Sequence, residues 1–356
     1  MTSKEQSRYE QSGVSTQGAE TALDAIKRHI PATRGFNTKF PVALDLGYFA
    51  NVIDIGGGQG LAFCTDGVGT KVIVAELADR YDTLGIDCVA MNVNDLICLG
   101  ATPVSMVDYI ACSHTDPRIF EELAIGLKEG ARQGQVSISG GEISQVKEIV
   151  NGIDLIGSAV GLVQLDRVNT GQDVKPGQVV VGVAASGVHS NGLTLARRVL
   201  LGESAQEQKQ NIGKLEPALG KTIGDELLVP THIYVQDMLA LWETDVNVRA
   251  MVNITGGGLS NLNRVSAGDI CFVLDQLMEP LPVFRLIQER GGISDAEMYE
   301  VFNMGLGFVA VVDDDASAKT VIDVCARFNH PAQIIGRIES GTGRSVTVPP
   351  KNLTYR

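Results

Sequence analysis

Short apolar runs alternate with longer amphipathic stretches along most of the chain. Apolar runs bounded by turn residues are typical of buried strands, whereas apolar positions that recur every three or four residues are typical of helices. In the first half, this pattern predicts strands at Leu61–Thr65, Val104–Ala111, Val136–Ser139 and Ile153–Val163, with helices at Thr83–Leu99 and Pro117–Gln133.

The pattern restarts after Asp173–Gly177, whose letters DVKPG predict a turn. The predicted strands of the second half are Val179–Ala185, Ala250–Ile254, Cys271–Asp275, Leu306–Val312 and Ile334–Ile338. Its predicted helices are Ser190–Leu201, Thr231–Trp242, Val283–Arg290, Asp295–Phe302 and Ala316–Phe328, and Glu203–Gly213 is interpreted as an exposed insertion. We therefore predict two mixed α/β (α+β) domains, residues 1–172 and 173–345, with a tail at 346–356.

The charge balance narrows the classes of ligand. The chain has 29 Lys and Arg against 42 Asp and Glu, a net charge of −13. We expect no nucleic-acid partner, because affinity for the phosphate backbone comes from clustered basic side chains. Small anions remain possible ligands, since glycine-rich turns and helix N-termini bind phosphate without net positive charge.

The chain also lacks the signals of export and of a membrane. Its first 20 residues contain no apolar segment, and no later stretch approaches 18 uninterrupted apolar residues. The cysteines are scattered without a CxxC pair, which favours free thiols in a reducing compartment over disulfides or a zinc site. We expect a cytoplasmic protein that does not associate with a membrane.

The segment Thr65–Lys71, TDGVGTK, follows an apolar strand and combines the residue types that bind Mg²⁺ and phosphate. Asp66 would hold the metal, Gly67 and Gly69 would let backbone N–H groups approach phosphate, and Thr70 and Lys71 would add a hydroxyl and a positive charge. The spacing is neither that of a Walker A loop nor that of GxGxxG. A polar hairpin turn is the alternative.

Helix Thr83–Leu99 carries Asp87, Asn94 and Asp95 on one face of an otherwise apolar sequence. Polar side chains on such a face need partners if they are buried. A metal shared with Asp66 would supply one, and a solvated face is the alternative.

Three further loops follow predicted strands. Glu142, after Gly140 and Gly141, would be another metal or ribose ligand, although a simple turn is the stronger reading of GGE alone. His189, Ser190 and Asn191 precede a helix and could form an anion site, or an ordinary helix cap. Gly256, Gly257 and Gly258 imply that their backbone closely approaches a ligand or another strand.

Taken together, these segments closely resemble phosphoribosylformylglycinamidine cyclo-ligase, also called aminoimidazole ribonucleotide synthetase. The motifs are CTDGVGTK, DTLGIDCVAMNVNDLICLGATPV, ASGVHSNGLTLARRVL, LLVPTHIYVQDMLALWE, MVNITGGGLSNLNRV and EMYEVFNMGLGF, in the family's order from YEQSGV to IIGRI. The resemblance covers nearly the whole chain.

The resemblance implies an ATP- and Mg²⁺-dependent ring closure in purine biosynthesis, in which formylglycinamidine ribonucleotide becomes aminoimidazole ribonucleotide. It also implies a fold shared with selenophosphate synthetase, thiamine-phosphate kinase and a hydrogenase maturation factor. The C-terminal domain would be an α/β sandwich, and the N-terminal domains would pair through a β-barrel-like interface into a homodimer with the active cleft beside it.

By motif, the resemblance assigns roles to individual residues. The catalytic residues would be Asp66, Lys71 and His189, and the metal ligands Asp66, Asp95 and Glu142. The nucleotide would contact Lys27, Gly67, Gly69, Thr70, Asn94, Asp95 and Glu142. The substrate would contact Ser190, Asn191, Gly256, Gly257 and Gly258.

Two segments depart from the family pattern. The family continues GGETAEMPG, whereas here Glu142 is followed by Ile143-Ser144-Gln145-Val146, and the glycine-rich N-terminal loop is altered over Asp54–Gly60. Two alternatives therefore stay open, namely another ATP-dependent member of the superfamily with a different substrate, and a non-catalytic paralogue. Selenophosphate synthetase is disfavoured because no cysteine lies in the glycine-rich N-terminal loop, and the hydrogenase factor because no cysteine ends the chain.

Overall fold

A computed structural model describes residues 7–12 and 16–356. Its helices are α1 (Arg8–Gln11), α2 (Thr16–Lys27), α3 (Lys71–Ala78), α4 (Leu84–Cys98), α5 (Pro117–Gln133), α6 (Leu193–Leu201), α7 (Ala205–Asn211), α8 (Ile223–Leu227), α9 (Val235–Trp242), α10 (Pro282–Gly291), α11 (Asp295–Val301) and α12 (Asp315–Arg327). Its strands are β1 (Asn51–Gly56), β2 (Gln59–Gly67), β3 (Thr102–Cys112), β4 (Ser137–Gln145), β5 (Ile153–Gln164), β6 (Val179–Ala184), β7 (Leu215–Glu216), β8 (Lys221–Thr222), β9 (Val248–Asn253), β10 (Ile270–Val273), β11 (Leu306–Val312), β12 (Ala332–Ser340), β13 (Ser345–Val348) and β14 (Leu353–Tyr355).

The N-terminal sheet has five strands in the order β1-β2-β5-β3-β4. One face packs against α4 and α5 and buries small or apolar side chains such as Ala62, Met106 and Ala159. The opposite face exposes Phe63 and Tyr109, because successive side chains of a strand point to opposite faces. The sheet is therefore covered on one side by its own helices, while its outer face carries apolar side chains.

The C-terminal sheet has seven strands in the order β14-β13-β10-β12-β6-β11-β9. Its central strands β6 and β11 are buried almost throughout, as their continuous runs of valine predict. A two-stranded ribbon, β7 and β8, lies apart from both sheets. Helix α12 packs on β6 and β12, so this domain is also built of helices on a sheet.

Helix α4 connects the two domains. It packs on β2, β3 and β5 of its own domain, and on α9 and β9 of the C-terminal domain. All but two of its 15 residues are buried, as expected for a helix that is apolar on most sides. The polar face noted in the sequence therefore points into the other domain, not into solvent.

The predicted fold class is confirmed, and the differences from the predicted elements have local causes. Helix α3 and strand β1 were not predicted, because each is a short apolar segment beside a glycine-rich turn and shows too few repeats of its period. The five-stranded sheet is open, so no closed barrel forms within one chain. The expected tail contributes β14 and most of β13 to the large sheet, where Val346 and Val348 are buried.

The predicted helix at Thr231–Trp242 begins later than its pattern suggests, at Val235. The reason is that the backbone N–H groups of Thr231 and Tyr234 donate to the side chains of Asp87 and Asn94. These contacts hold the first four residues outside the helix at the domain boundary. The segment Glu203–Gly213 likewise contains α7, which begins with a capping box between Ser204 and Glu207.

No helix in the described part of the chain is both long and apolar enough to cross a bilayer. The six cysteines are free thiols, and four of them are buried. Burial raises the pKa of the Cys88 and Cys98 thiols, which keeps both in the neutral, unreactive form.

Three of the five histidines gather inside the C-terminal domain. The rings of His232 and His330 are 4.5 Å apart between centroids, and those of His189 and His232 are 6.3 Å apart. Nδ1 of His330 lies 2.9 Å from both carboxylate oxygens of the buried Asp237. The hydroxyl of Tyr234 closes the cluster by donating to the carbonyl of Ala184, 2.8 Å away.

Burial, together with the neighbouring charge of His330, lowers the pKa of His232 to about 4 from an ordinary value of 6.5. The folded form therefore binds fewer protons than the unfolded chain between these two values. Acidification thus favours unfolding, and the free energy of unfolding should fall as pH decreases from 6.5 to 4.

We expect His232→Gln to flatten this pH dependence by about 2–3 kcal/mol, because a neutral side chain removes the proton uptake on unfolding. Urea unfolding between pH 4 and 7 measures this pH dependence of the free energy of unfolding. The matched control is His29→Gln, because His29 is exposed. An unchanged pH profile in His232→Gln would contradict the assignment.

Candidate active site

Three of the sequence-predicted loops converge at the boundary between the domains. Gly69, in the left-handed conformation with φ +63°, faces the carbonyl of Ser190. The hydroxyls of Thr70 and Thr194 are 3.0 Å apart. A methyl group added at Gly256 would lie only 3.1 Å from Oδ1 of Asn191. The loops 65–70, 189–192 and 255–258 thus form one cleft.

The N-terminal end of α6 contributes backbone donors to this cleft. Gly192 precedes the helix and offers no side-chain cap, and the first bond of the helix is the one from Ala196 N–H to the Gly192 carbonyl. The N–H groups of the first turn therefore remain available to an anionic ligand. This supports the anion-site interpretation of the His189–Gly192 segment over that of an ordinary side-chain cap.

The three glycines after β9 serve different purposes. Gly256 faces Asn191, as described above. Gly257 has φ +97°, which other residues rarely adopt. A methyl group at Gly258 would overlap the carbonyl oxygen of Tyr299 at 2.1 Å. Gly258 therefore permits close packing against α11, and only Gly256 is seen to line the cleft.

Lys71 forms a fully buried ion pair with Asp87 beside the cleft. Its Nζ lies 2.8 Å from Asp87 Oδ2 and 2.9 Å from Oδ1, and it also donates to the Val229 carbonyl at 2.7 Å. Burial lowers the pKa of Lys71, and the charge of Asp87 opposes this shift. These contacts hold the ammonium of Lys71 inside the protein, where it is fully buried. This geometry gives no support to a direct role of Lys71 in charge neutralisation, which stays a prediction.

Asp87 joins elements from both domains. Oδ1 of Asp87 accepts hydrogen bonds from the backbone N–H of Thr231 at 2.8 Å and from its hydroxyl at 2.6 Å. The hydroxyl of Ser190 donates to the same oxygen at 3.2 Å. The carboxylate thus fixes the loop that leads into α6, and Ser190 is held by the protein.

Asn94 is part of the same interface. Its amide donates to the carbonyl of His232 at 2.8 Å and accepts from the N–H of Tyr234 at 3.0 Å. Both ends of the side chain are satisfied by backbone of the other domain, and Asn94 is buried. Asn94 therefore has structural partners at the domain boundary, and its assignment to the nucleotide stays a prediction.

Asp66 and Asp95 form an acidic pair that faces the cleft. Burial raises the pKa of Asp66. Burial, with the nearby charge of Asp66, raises the pKa of Asp95 to about 7, although the amide of Asn253 donates to it at 2.9 Å. The guanidinium of Arg264 opposes both shifts and stacks 4.7 Å above the ring of Phe49. Two partly desolvated carboxylates with a single nearby guanidinium favour a further cation.

The chemistry of these donors fits a magnesium ion. Mg²⁺ is usually held by one or two carboxylates together with substrate phosphates and water. Across residues 7–12 and 16–356, no group of three His, Cys, Asp or Glu side chains has the geometry of a metal site. Asp66 and Asp95 would therefore hold the ion with ligands from a nucleotide.

His189 adopts φ +61°, a left-handed conformation that is strained for a residue with a side chain. Its Nε2 accepts the backbone N–H of Ser186 at 3.2 Å. Burial, His232 and Lys71 lower its pKa well below 6.5. The ring is therefore neutral with its proton on Nδ1, so His189 can donate a hydrogen bond but is not poised to accept a proton at Nε2.

Glu142 lies apart from the acidic pair. Across the sheet, Asp66 is directly opposite Gly157, Asp108 and Gly141 on the next three strands. Glu142 is the next residue along β4 after Gly141, and successive residues of a strand point to opposite faces. Glu142 therefore projects from the outer face, three strand spacings or about 14 Å from β2. It is exposed on the edge strand, so its predicted place beside Asp66 and Asp95 is wrong for this chain.

Two other predicted segments also lie outside the cleft. Lys27 ends α2 on an exposed surface, and its assignment to the nucleotide stays a prediction. The altered Asp54–Gly60 loop forms the hairpin between β1 and β2. This hairpin is at the opposite end of β2 from Asp66, about 23 Å away at 3.3 Å per residue.

Sequence reasoning missed several residues that shape the site. Thr231 and Asn253 bond to carboxylates of α4, Asn92 bonds to the backbone of Asp66, and Arg264 faces the acidic pair. All of them are remote in sequence from the groups that they contact. The sequence carried one usable signal, because Asn253 and Arg264 flank the glycine loop.

Asp87→Asn tests the buried pair. We expect the free energy of unfolding to fall by about 3–5 kcal/mol, because the ammonium of Lys71 would be left buried without a counter-charge. Chemical denaturation measures the change. Asp323→Asn, in the exposed Lys319–Asp323 pair, should change stability by no more than about 0.5 kcal/mol.

The double variant Lys71→Met/Asp87→Asn should be less destabilised than the sum of the two single variants, because it buries no unpaired ammonium. Simple additivity would argue against the pairing.

Sequence comparisons agree with this architecture. Residues 47–163 match the family described as AIR synthase related protein, N-terminal domain, and residues 175–349 match its C-terminal domain. The phosphoribosylformylglycinamidine cyclo-ligase of Methanocaldococcus jannaschii is 41% identical over 331 residues, 93% of this chain and 91% of that protein. The enzyme of the same name from Methanothermobacter thermautotrophicus is 43% identical over 307 residues, 86% of this chain and 88% of that protein.

Solved structures share the fold at low sequence identity. AaThiL, solved with AMPPCP and TMP, has a TM-score of 0.61 at 16% identity and covers 94% of this chain and 96% of its own. PurL from T. maritima, solved with ATP, has a TM-score of 0.55 at 16% identity and covers 86% of this chain and 44% of its own.

Both family domains match in order and the relatives align over nearly their full length. The resemblance read from the motifs is thereby confirmed, and the chain belongs to the phosphoribosylformylglycinamidine cyclo-ligase family.

Proposed function

We propose that this protein closes the imidazole ring of formylglycinamidine ribonucleotide in purine biosynthesis, with ATP as the phosphoryl donor. The observation that carries the proposal is the convergence of three glycine-containing loops beside Asp66 and Asp95 in one interdomain cleft. The name shared by relatives at about 40% identity supports the choice of substrate.

The chemistry begins at the formyl amide oxygen, which receives the γ-phosphoryl group of ATP while ADP leaves. A nitrogen of the substrate then attacks the same carbon, the C–O bond breaks, and phosphate departs as the nitrogen loses a proton. An amide oxygen is a poor leaving group and phosphate is a good one. Holding nitrogen and carbon close together supplies the entropic share of the rate acceleration.

The residues of the cleft would divide these tasks. Asp66 and Asp95 would hold Mg²⁺, which when bound offsets negative charge on the nucleotide phosphates. The backbone at Gly67 and Gly69 and the hydroxyl of Thr70 would lie against the nucleotide. The N-terminal end of α6 with Asn191 would bind an anionic group of the substrate, and His189 would donate a hydrogen bond from Nδ1.

Lys71 and Asp87 would act as positioning residues. They touch neither ligand in this arrangement, but they fix Ser190 and Thr231 at the edge of the cleft. Arg264, which approaches from the C-terminal domain, would supply the positive charge first expected of Lys71. We place the enzyme in the cytoplasm, in keeping with its free thiols.

The deciding experiment follows ADP, phosphate and aminoimidazole ribonucleotide together, from Mg-ATP with and without formylglycinamidine ribonucleotide. One ring closed per ADP released is the expected result. ATP binding without turnover would favour a superfamily member with a different substrate, and neither binding nor turnover would favour a non-catalytic paralogue.

Asp66→Asn and Asp95→Asn should each lower turnover by about 100-fold or more, because an amide provides less charge to hold the cation. The control is Asp108→Asn, a partly buried carboxylate on the same sheet face but two strands from Asp66. Steady-state kinetics with circular dichroism separates lost chemistry from lost folding. Full activity in both variants would remove the acidic pair from the mechanism.

We also propose that the chain forms a homodimer through the outer face of the five-stranded sheet. Phe63, Val107, Tyr109 and Leu162 are each about 40% exposed on that face, although they are large and apolar. The segment 46–51 and this face enclose a mostly apolar cavity of about 620 Å³. An apolar surface of this kind is typical of a protein interface.

Val107→Glu should convert a dimer at micromolar concentration into a monomer, because a charge would be buried in the interface. Ile149→Glu is the matched control, since Ile149 is 84% exposed in the turn before β5, outside this face. Sedimentation velocity distinguishes the species. A dimeric Val107→Glu variant would rule out this face.

A further inference from the structure

Helix α6 contains an arginine, Arg197, with two guanidinium nitrogens that are buried and have no partner in the part of the chain that the structure describes. Arg197 is only 9% exposed. Its Nε and Nη1 atoms are shielded from solvent and have no hydrogen-bond partner. The fully buried Lys71, in contrast, is paired with Asp87 and donates to the carbonyl of Val229.

Among residues 7–12 and 16–356, no acidic side chain pairs with this charge. Burial lowers the pKa of Arg197, and the one charged group that affects it is Arg198, which also repels a proton. A guanidinium cannot escape by losing its proton at physiological pH. A buried cation without a counter-charge lowers the stability of the fold. A bound anion would supply the missing counter-charge and restore that stability.

Helix geometry predicts that the side chain of Arg197 runs along α6 toward the cleft. It lies one turn after Leu193, on the same side of α6, and side chains of a helix lean toward its N-terminus. That end carries the uncapped N–H groups and Thr194, whose hydroxyl is 3.0 Å from that of Thr70. A guanidinium, free backbone donors and two hydroxyls are the groups that bind phosphate.

We propose that Arg197 binds a phosphate group of a ligand at the N-terminal end of α6. The inference rests on the proposed function for the source of that phosphate, which is either the nucleotide or the ribose phosphate of the substrate. The planar guanidinium can donate to two phosphate oxygens at once, whereas the ammonium of a lysine is a single point charge.

The test compares the full-length protein with Arg197→Met, Arg197→Lys and Arg198→Met. Thermal unfolding is measured without ligand and during titration with inorganic phosphate, ribose 5-phosphate or Mg-ATP. Arg198 is the matched control, because it is the neighbouring arginine and lies 3.8 Å from Glu203 at the surface.

Without ligand, Arg197→Met should melt at or above the wild-type temperature, because it removes an unpaired buried charge. Its affinity for the phosphate ligand should fall about tenfold to a hundredfold, as expected for loss of a charged hydrogen bond. Arg197→Lys should fold and bind with intermediate affinity, and Arg198→Met should bind as the wild type does.

The titrations also identify the source of the phosphate. Loss confined to ribose 5-phosphate assigns Arg197 to the substrate, and loss confined to Mg-ATP assigns it to the nucleotide. Wild-type affinity for all three ligands in both Arg197 variants would overturn the inference. The inference would also be overturned if Arg197→Met melted several degrees lower while its affinities were unchanged, because that result indicates a structural role.

Failure of the proposed function gives a different result. A chain that closes no ring but binds phosphate through Arg197 would refute the cyclo-ligase assignment and leave this site intact. If the protein closes the ring and Arg197→Met does so with unchanged kinetics, the cyclo-ligase assignment stands and the Arg197 site is refuted.

Discussion

The buried contact between Lys71 and Asp87 is the interaction on which the cleft depends. Asp87 belongs to the central helix of the N-terminal domain, yet it accepts hydrogen bonds from Thr231 and Ser190 of the other domain. Two charges in an apolar interior are stable only when each is paired and hydrogen-bonded. This requirement allows one relative position of the loops, and the rest of the site is arranged around it.

The same helix illustrates how polar side chains can join two domains. Asp87, Asn94 and Asp95 lie on one face of α4, and each finds its partner in the C-terminal domain. Because these bonds are buried, a displaced domain would leave several polar groups unsatisfied at once. Apolar packing alone would tolerate sliding, whereas directional bonds to defined backbone atoms do not. The interface is therefore specific, and it keeps the three glycine loops in register.

Most of the strands and helices were predictable from local pattern, whereas the start of α9 was decided by contacts with the other domain. Valine-rich β11 and amphipathic α5 follow the period of their side chains, so burial alone identifies them. Residues 231–234 do not, because their backbone bonds go to side chains of another domain. The glycines at 256–258 were predicted to approach either a ligand or another strand, and Gly258 packs against the backbone of Tyr299. Local sequence does not distinguish these uses.

The sequence by itself determined the family, the fold class and the segments from which the cleft is built. It did so because hydrophobic periodicity and short motifs are properties of neighbouring residues. Only the tertiary structure decided which charged groups face a ligand. Lys71 is withdrawn into an ion pair and Glu142 lies on the other face of the sheet. Arg264 lies near the acidic pair, and two nitrogens of Arg197 have no partner in the described chain. The physical reason is that desolvation and charge pairing depend on contacts between residues remote in sequence, and such contacts are fixed only when the two domains pack together.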